Sequence, residues 1–286
     1  MTPEIFDDRS CSLGEGPGWD AASGRVHWVD ILGCRVLWRS PTDGTQGVIA
    51  TSAHVGAAVL RKGGGFVVTL PEGAYSLTPE GKQTLLAPFP RMGTVPTRAN
   101  DAKVDPEGAL WLGTMAYDDN VPGQGALYRL DPATSALRLA VPQVSISNGL
   151  GWSPDGRTMY YIDTPTRRVD AFDFAPGGTI GNRRPLVTCG ADDGWPDGLA
   201  VDAEGGVWVA FWQGSAVRRY DARGRLDRVV RLPVPLVTSC AFVGPALDRL
   251  VITTASVGLD PKPALAGCTF IIDPGTRGLP VAAYAG

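Results

Sequence analysis

Six times along this chain a turn is followed by a short apolar run, and the order does not change. The turns read DAASG, RKGGG, DPEG, SPDG, DAEG and PALD. The runs behind them are VHWVDI (26 to 31), FVVTL (66 to 70), LWLGTM (110 to 115), MYYIDT (159 to 164), VWVAFW (207 to 212) and LVITTA (250 to 255). A further run often comes next, as in CRVLW, GAYSL and GALYRLDP. Gly24, Gly65, Gly108, Gly156 and Gly205, with Asp248 in the sixth copy, are spaced by 41, 43, 48, 49 and 43 residues. Short β-branched or alternating runs between glycine and proline turns are strand signals, and helix-period segments are scarce. A period of roughly 40 to 50 residues with several strands in each copy marks propeller blades. The expected fold is therefore all-β, a six-bladed β-propeller forming one domain over residues 1–286. A sandwich would leave the repeated order unexplained.

At 286 residues and 44% apolar content the chain can build a core without covalent staples. Cys11, Cys34, Cys189, Cys240 and Cys268 are scattered, with no CxxC pair, so reduced thiols are expected rather than a disulfide frame or a zinc knot. No apolar run reaches the roughly 20 residues that span a bilayer, and MTPEIFDD lacks the order of a signal peptide. A cytoplasmic protein without membrane partners is expected. The net charge of −3 and the absence of a basic block give no electrostatic reason to bind nucleic acid. A small-molecule partner fits better.

The repeat puts four polar residues in one phase. Asn148 lies four residues before Trp152, Glu15 four before Trp19, Asn100 four before Val104 and Asp197 four before Val201. The other two copies carry Ala57 and Cys240 near that place. In a propeller the first strand of each blade lines the central channel, so these positions form a ring at one mouth. Read alone, Asn148-Gly149 and Asp197-Gly198 are ordinary turn dipeptides; the shared phase argues instead for converging oxygen donors. Hard oxygen ligands suit Ca²⁺, Mg²⁺ or Mn²⁺, with Zn²⁺ still open.

The stretches GEGPGW, RANDAKVDPEGALWLGTM, ISNGLGWSPDGRTMYYIDT, VDAFDF and WPDGLAVDAEGGVWVA, and the terminal YAG, resemble the senescence marker protein, regucalcin and gluconolactonase family over nearly the whole chain. The resemblance implies a six-bladed propeller that hydrolyses sugar lactones at a divalent metal in its central channel. It implies Glu15, Asn148 and Asp197 as metal ligands, with Asp197 also the general base, and Arg98 and Asn100 as substrate-binding groups. Animal members carry a substrate-contacting glutamate shortly after the GTM motif; here the matching residue is the shorter Asp118, in MAYDDN.

Lactone opening requires an activated water and a stabilised oxyanion, which a Lewis-acidic metal with Asp197 or a metal-bound hydroxide would supply. His27 and His54 are the only histidines, so the histidine dyad of paraoxonase-like propellers has no counterpart. Two alternatives stay open: a calcium-binding regulatory or scaffold propeller with a structural ion, and a phosphotriesterase-like hydrolase on the same scaffold.

Overall fold

The computed structural model describes residues 2–90, 94–117 and 121–286. These form six four-stranded antiparallel sheets and, beyond two short 3₁₀ turns, no helix. Blade 1 runs Gly14–Asp20, Arg25–Asp30, Arg35–Arg39 and Gln46–Ala50. Blade 2 follows with Ala57–Leu60, Phe66–Leu70, Gly73–Leu77 and Gln83–Pro88, and blade 3 with Thr97–Val104, Leu110–Ala116, Gly125–Leu130 and Leu137–Val144. Blade 4 comprises Ser147–Trp152, Thr158–Asp163, Arg168–Ala175 and Thr179–Thr188; blade 5 comprises Trp195–Val201, Val207–Trp212, Ala216–Tyr220 and Leu226–Arg231. The six apolar runs are the second strands. The molecule is a six-bladed β-propeller.

Blade 6 takes Val237–Val243, Arg249–Thr254 and Thr269–Ile272 from the end of the chain and its outer strand, Glu4–Asp7, from the beginning. This pairing closes the ring by hydrogen bonds between the two ends of the sequence. Six apolar clusters hold the blades together, one at each interface between neighbours. Trp111 and Trp208, at matching places in the second strands of blades 3 and 5, and Trp28, one place further along that of blade 1, are fully buried in them. Each contributes about 1.5 to 3 kcal/mol by burial.

The recurring turns have a physical basis. Gly24, Gly65, Gly108, Gly156 and Gly205 all have φ between 66° and 86°, the left-handed region that a side chain disfavours. In blades 3 and 5 a buried aspartate organises the turn. Asp105 accepts from the backbone N–H of Glu107 and Ala109, from Trp111 Nε1 and from Arg129 Nε, each at 2.9 Å. Asp202 repeats the pattern with Glu204, Gly206, Trp208 and Arg219 at 2.7 to 3.0 Å.

The C-terminal tail crosses this turn-bearing face. Gly278 N–H donates to Leu247 O of blade 6 and Ala203 N–H to Arg277 O. At the far side Tyr284 N–H donates to Leu60 O and Ala285 N–H to Gly108 O, in blades 2 and 3. Tyr284 is 1% exposed among the residues of that interface. The tail thus links opposite sides of the ring, away from the starts of the inner strands.

Candidate functional site

Glu15, Asn100, Asn148 and Asp197 all lie on inner strands, those of blades 1, 3, 4 and 5, and all four are buried. Each sits at a break in the ladder to the second strand. Ala99 pairs with Thr114 and Ala102 with Leu112, so two residues, Asn100 and Asp101, oppose one. Asn148 and Gly149 bulge in the same way between Ser147 and Leu150, as do Asp197 and Gly198 between Pro196 and Leu199. In blade 1 the bulge falls between Glu15 and Gly18, which leaves Glu15 at the last paired position before it. A bulge re-aims a side chain that regular alternation would direct elsewhere.

Asn148-Gly149 and Asp197-Gly198 are therefore not turns. Their glycines allow neighbouring inner strands to approach: a Cβ on Gly149 would stand 2.7 Å from Asp197 O, and one on Gly198 2.1 Å from Ser239 Oγ. Blade 2 has Ala57 at the ring and no bulge. In blade 6 the bulged residue is Thr238, ahead of Cys240, and its hydroxyl donates to Gly14 O at 2.6 Å. Cys240 lies deeper in the blade, its thiol pointing to Trp208 O.

A chain of hydrogen bonds fixes the amides. Arg98 Nη1 donates to Asn100 Oδ1 (2.8 Å) and to Ala99 O (3.1 Å). Asn100 Nδ2 in turn donates to Asn148 Oδ1 and to Ser147 O, both at 2.9 Å. Asn148 Nδ2 donates to Thr164 Oγ1 (2.8 Å), which donates to Pro196 O (2.8 Å), one residue before Asp197. Asn100 consequently turns its nitrogen toward its neighbour while its oxygen is held by Arg98. Asn148 keeps its oxygen on the channel side with one further lone pair to offer.

The carboxylates are in an electrostatically costly place. Burial pushes Glu15 up to about 8, with the charge of Asp101 adding to the rise and the Gly16 N–H and Arg98 opposing it. Burial also raises Asp197 well above the usual carboxylate range, followed by repulsion from Glu15 and Asp101, again opposed by Arg98. Among the described residues no ion pair within 4.0 Å involves either group. Two mutually repelling buried carboxylates beside an oriented amide oxygen fit a divalent cation, whose charge would reverse the sign of that repulsion. The described residues contain no cluster of three His, Cys, Asp or Glu side chains suited to a metal; here the third donor is an amide.

These groups face a cleft of about 440 Å³ that also exposes Arg98, Met115, Ile146, Thr164, Trp195 and Trp212. Asp118 lies outside the described residues. His27 is buried on the second strand of blade 1 against Phe66, and His54 lies 5.9 Å from Tyr117, so the two imidazoles do not form a pair at the ring. Five residues had no prior claim from the repeat. Asp101 shares the bulge with Asn100, and its charge acts on both Glu15 and Asp197. Lys103, further down the same strand, donates to Leu199 O at 2.8 Å, and burial lowers its pKa while Asp101 opposes the fall. Thr164 closes the MYYIDT run, at the end of a second strand adjoining the start of the first. Trp195 and Trp212 occupy the corresponding ends in blade 5.

A six-bladed propeller with oxygen donors on its inner strands at one mouth defines the class of molecule. The SMP-30/Gluconolactonase/LRE-like region matches residues 13–256, and the chain belongs to that family. It is 35% identical to regucalcin of Xenopus laevis over 294 residues, covering 99% of this chain and 98% of that protein. Among solved structures it is similar to the calcium-binding protein regucalcin of Agrobacterium tumefaciens, with TM-score 0.92 and 29% identity over 100% of this chain and 98% of that one. A gluconolactonase of Xanthomonas campestris gives TM-score 0.77 at 26% identity over 93% and 87% of the two chains.

Proposed function

We propose that this chain is a divalent-metal-dependent sugar lactonase that opens aldonolactones of five or six carbons to aldonic acids. The observation that carries the reading is the meeting of Glu15, Asn148 and Asp197 at one end of the inner strands, in a cleft beside Arg98. Gluconolactonase activity named for the Xanthomonas campestris relative supports the reaction type, and the calcium-binding Agrobacterium tumefaciens relative supports the ion. Glu15, Asn148 and Asp197 would hold the cation. When bound, it would supply Lewis acidity to the lactone carbonyl.

The remaining work falls to side chains. Arg98, anchored by Asn100 Oδ1 and Ala99 O, meets substrate oxygens with its planar guanidinium and fixes the ring. Asn100, held between Arg98 and Asn148, orients both and contacts substrate from the same strand. Asp197 takes the proton from the attacking water. Water oxygen bonds to the carbonyl carbon, the acyl C–O bond of the ring breaks, and the released ring oxygen takes a proton to become a hydroxyl. Asp118 joins the substrate-binding set as a proposal from the family pattern alone.

The test is acid release from glucono-, galactono-, xylono- and arabinonolactones, corrected for spontaneous hydrolysis, before and after chelation and re-addition of Ca²⁺, Mg²⁺, Mn²⁺ and Zn²⁺. Activity lost on chelation and restored by metal is expected, and Asp197→Ala should remove turnover while circular dichroism stays that of the folded protein. Absence of activity on every lactone with every ion, from folded protein that binds calcium, would favour the second reading: a propeller holding a structural ion, as the name of the Agrobacterium tumefaciens relative suggests.

A further inference from the structure

Half of the cleft has no part in the reaction proposed above. Beside the polar ring the cleft is lined by Trp195, Trp212, Ile146 and Pro165, a largely apolar surface. Trp195 and Trp212 are direct cross-strand partners at the mouth end of blade 5. Both are only half-buried, whereas Trp28, Trp111 and Trp208 are fully enclosed in the blade interfaces. Large aromatic side chains left facing a cleft expose apolar area that a ligand can cover.

Trp195 is also held in place. The Arg167 guanidinium lies 3.7 Å from its ring centroid, and Arg167 Nη1 donates to the carbonyl oxygens of Gly190 (3.0 Å), Ala191 (3.3 Å) and Gly194 (3.0 Å). An arginine anchored by three carbonyls fixes the ring it stacks on, and a fixed ring loses little entropy when a ligand arrives. The cleft volume of about 440 Å³ falls in the range, roughly 300 to 1,000 Å³, of pockets that enclose drug-sized ligands. One five- or six-carbon lactone leaves much of it unfilled.

We propose that Trp195 and Trp212 form an aromatic subsite for a second ring carried by the lactone substrate, a glycosyl or aryl substituent whose flat face stacks on the indoles. The inference rests on the lactonase reading and extends its substrate class to lactones that carry a second ring. Trp212 is a specificity-determining residue in this scheme, and Arg167 is a positioning residue that acts through Trp195.

The test compares kcat/KM for glucono-1,5-lactone, cellobiono-1,5-lactone and a phenyl-substituted δ-valerolactone, with calcium present, in the wild type, Trp212→Ala and Trp212→Phe. At least one ring-bearing lactone should exceed gluconolactone by about tenfold, the scale of one well-formed aromatic contact. Whether the glycosyl or the aryl compound gains identifies the source of the ring. Trp212→Ala should abolish the preference chiefly through KM, and Trp212→Phe should keep most of it. Calorimetry with the matching lactams, which lack the scissile ester, reads the same preference without turnover. If no lactone opens, the reaction assignment fails and the lactam ratio still judges the subsite. The subsite is overturned if ring-bearing compounds bind and react no better than gluconolactone, or if folded Trp212→Ala leaves their ratio unchanged.

Discussion

Asn148 shows how one side chain comes to be useful at a buried place. A carboxamide without partners there would cost roughly 1 to 3 kcal/mol, but its nitrogen donates to Thr164 Oγ1 and its oxygen accepts from Asn100 Nδ2. Thr164→Val keeps the shape and removes the partner. Its expected result is a calcium affinity lower by about 10- to 100-fold, the effect typical of losing a group that orients a ligand, measured by titration calorimetry against the wild type. His27 makes a different prediction. Burial lowers its pKa from 6.5 to about 4, and Nδ1 has no partner in its apolar surroundings. The folded state holds this imidazole neutral while the unfolded chain protonates it below 6.5. Stability is therefore complete above that pH and is lost as pH falls toward 4, by up to about 3 kcal/mol. Urea unfolding of the wild type and His27→Leu at pH 6.5 and 4.5 should show the larger acid loss in the wild type; equal losses would contradict the assignment. Neither Thr164 nor the orphaned imidazole nitrogen was legible in the sequence, because each depends on a neighbour supplied by another strand.

At the scale of the element, the inner strands are what the repeat could locate but not describe. Counting back from the turns found Glu15, Asn100, Asn148 and Asp197 in one phase. Regular alternation could not reveal that bulges aim three of them, since a bulge leaves no fixed composition behind it. The glycines at 149 and 198 carried a misleading signal: a turn dipeptide and a close approach between strands ask for the same residue. Gly149→Ala separates these roles. Its new methyl would press on Asp197 O at 2.7 Å and Leu199 N at 2.8 Å, both backbone atoms that cannot swing aside. Overpacking of this kind costs about 1 to 3 kcal/mol. The variant should melt lower and also bind calcium more weakly, since the displaced strand carries Asp197. Undisturbed calcium binding in a destabilised variant would show that the blade 4 to blade 5 spacing does not set the ring.

At the scale of the molecule, two terminal segments hold a ring that has six separate apolar interfaces and no single centre. Glu4–Asp7 completes blade 6 against Thr269–Ile272, and the tail that carries Gly278, Tyr284 and Ala285 ties blades 5 and 6 to blades 2 and 3. Tyr284→Ala should cost at least about 3 kcal/mol, the usual scale for emptying a buried aromatic site. Denaturant unfolding would check it, and a change below 1 kcal/mol would mean that the tail merely rests on the face. The sequence by itself determined the number of blades, the place of each turn and second strand, and the common phase of the four ring residues, because these follow from local turn chemistry repeated at a near-constant period. Only the tertiary structure decided the rest: which terminus closes blade 6, that Asn100 offers its nitrogen rather than its oxygen to Asn148, that Asp101, Thr164, Trp195 and Trp212 join the site, and that Thr238 rather than Cys240 fills the sixth position. Each is a contact between residues distant in the chain, fixed by strand register and blade spacing, and no local pattern records the partner.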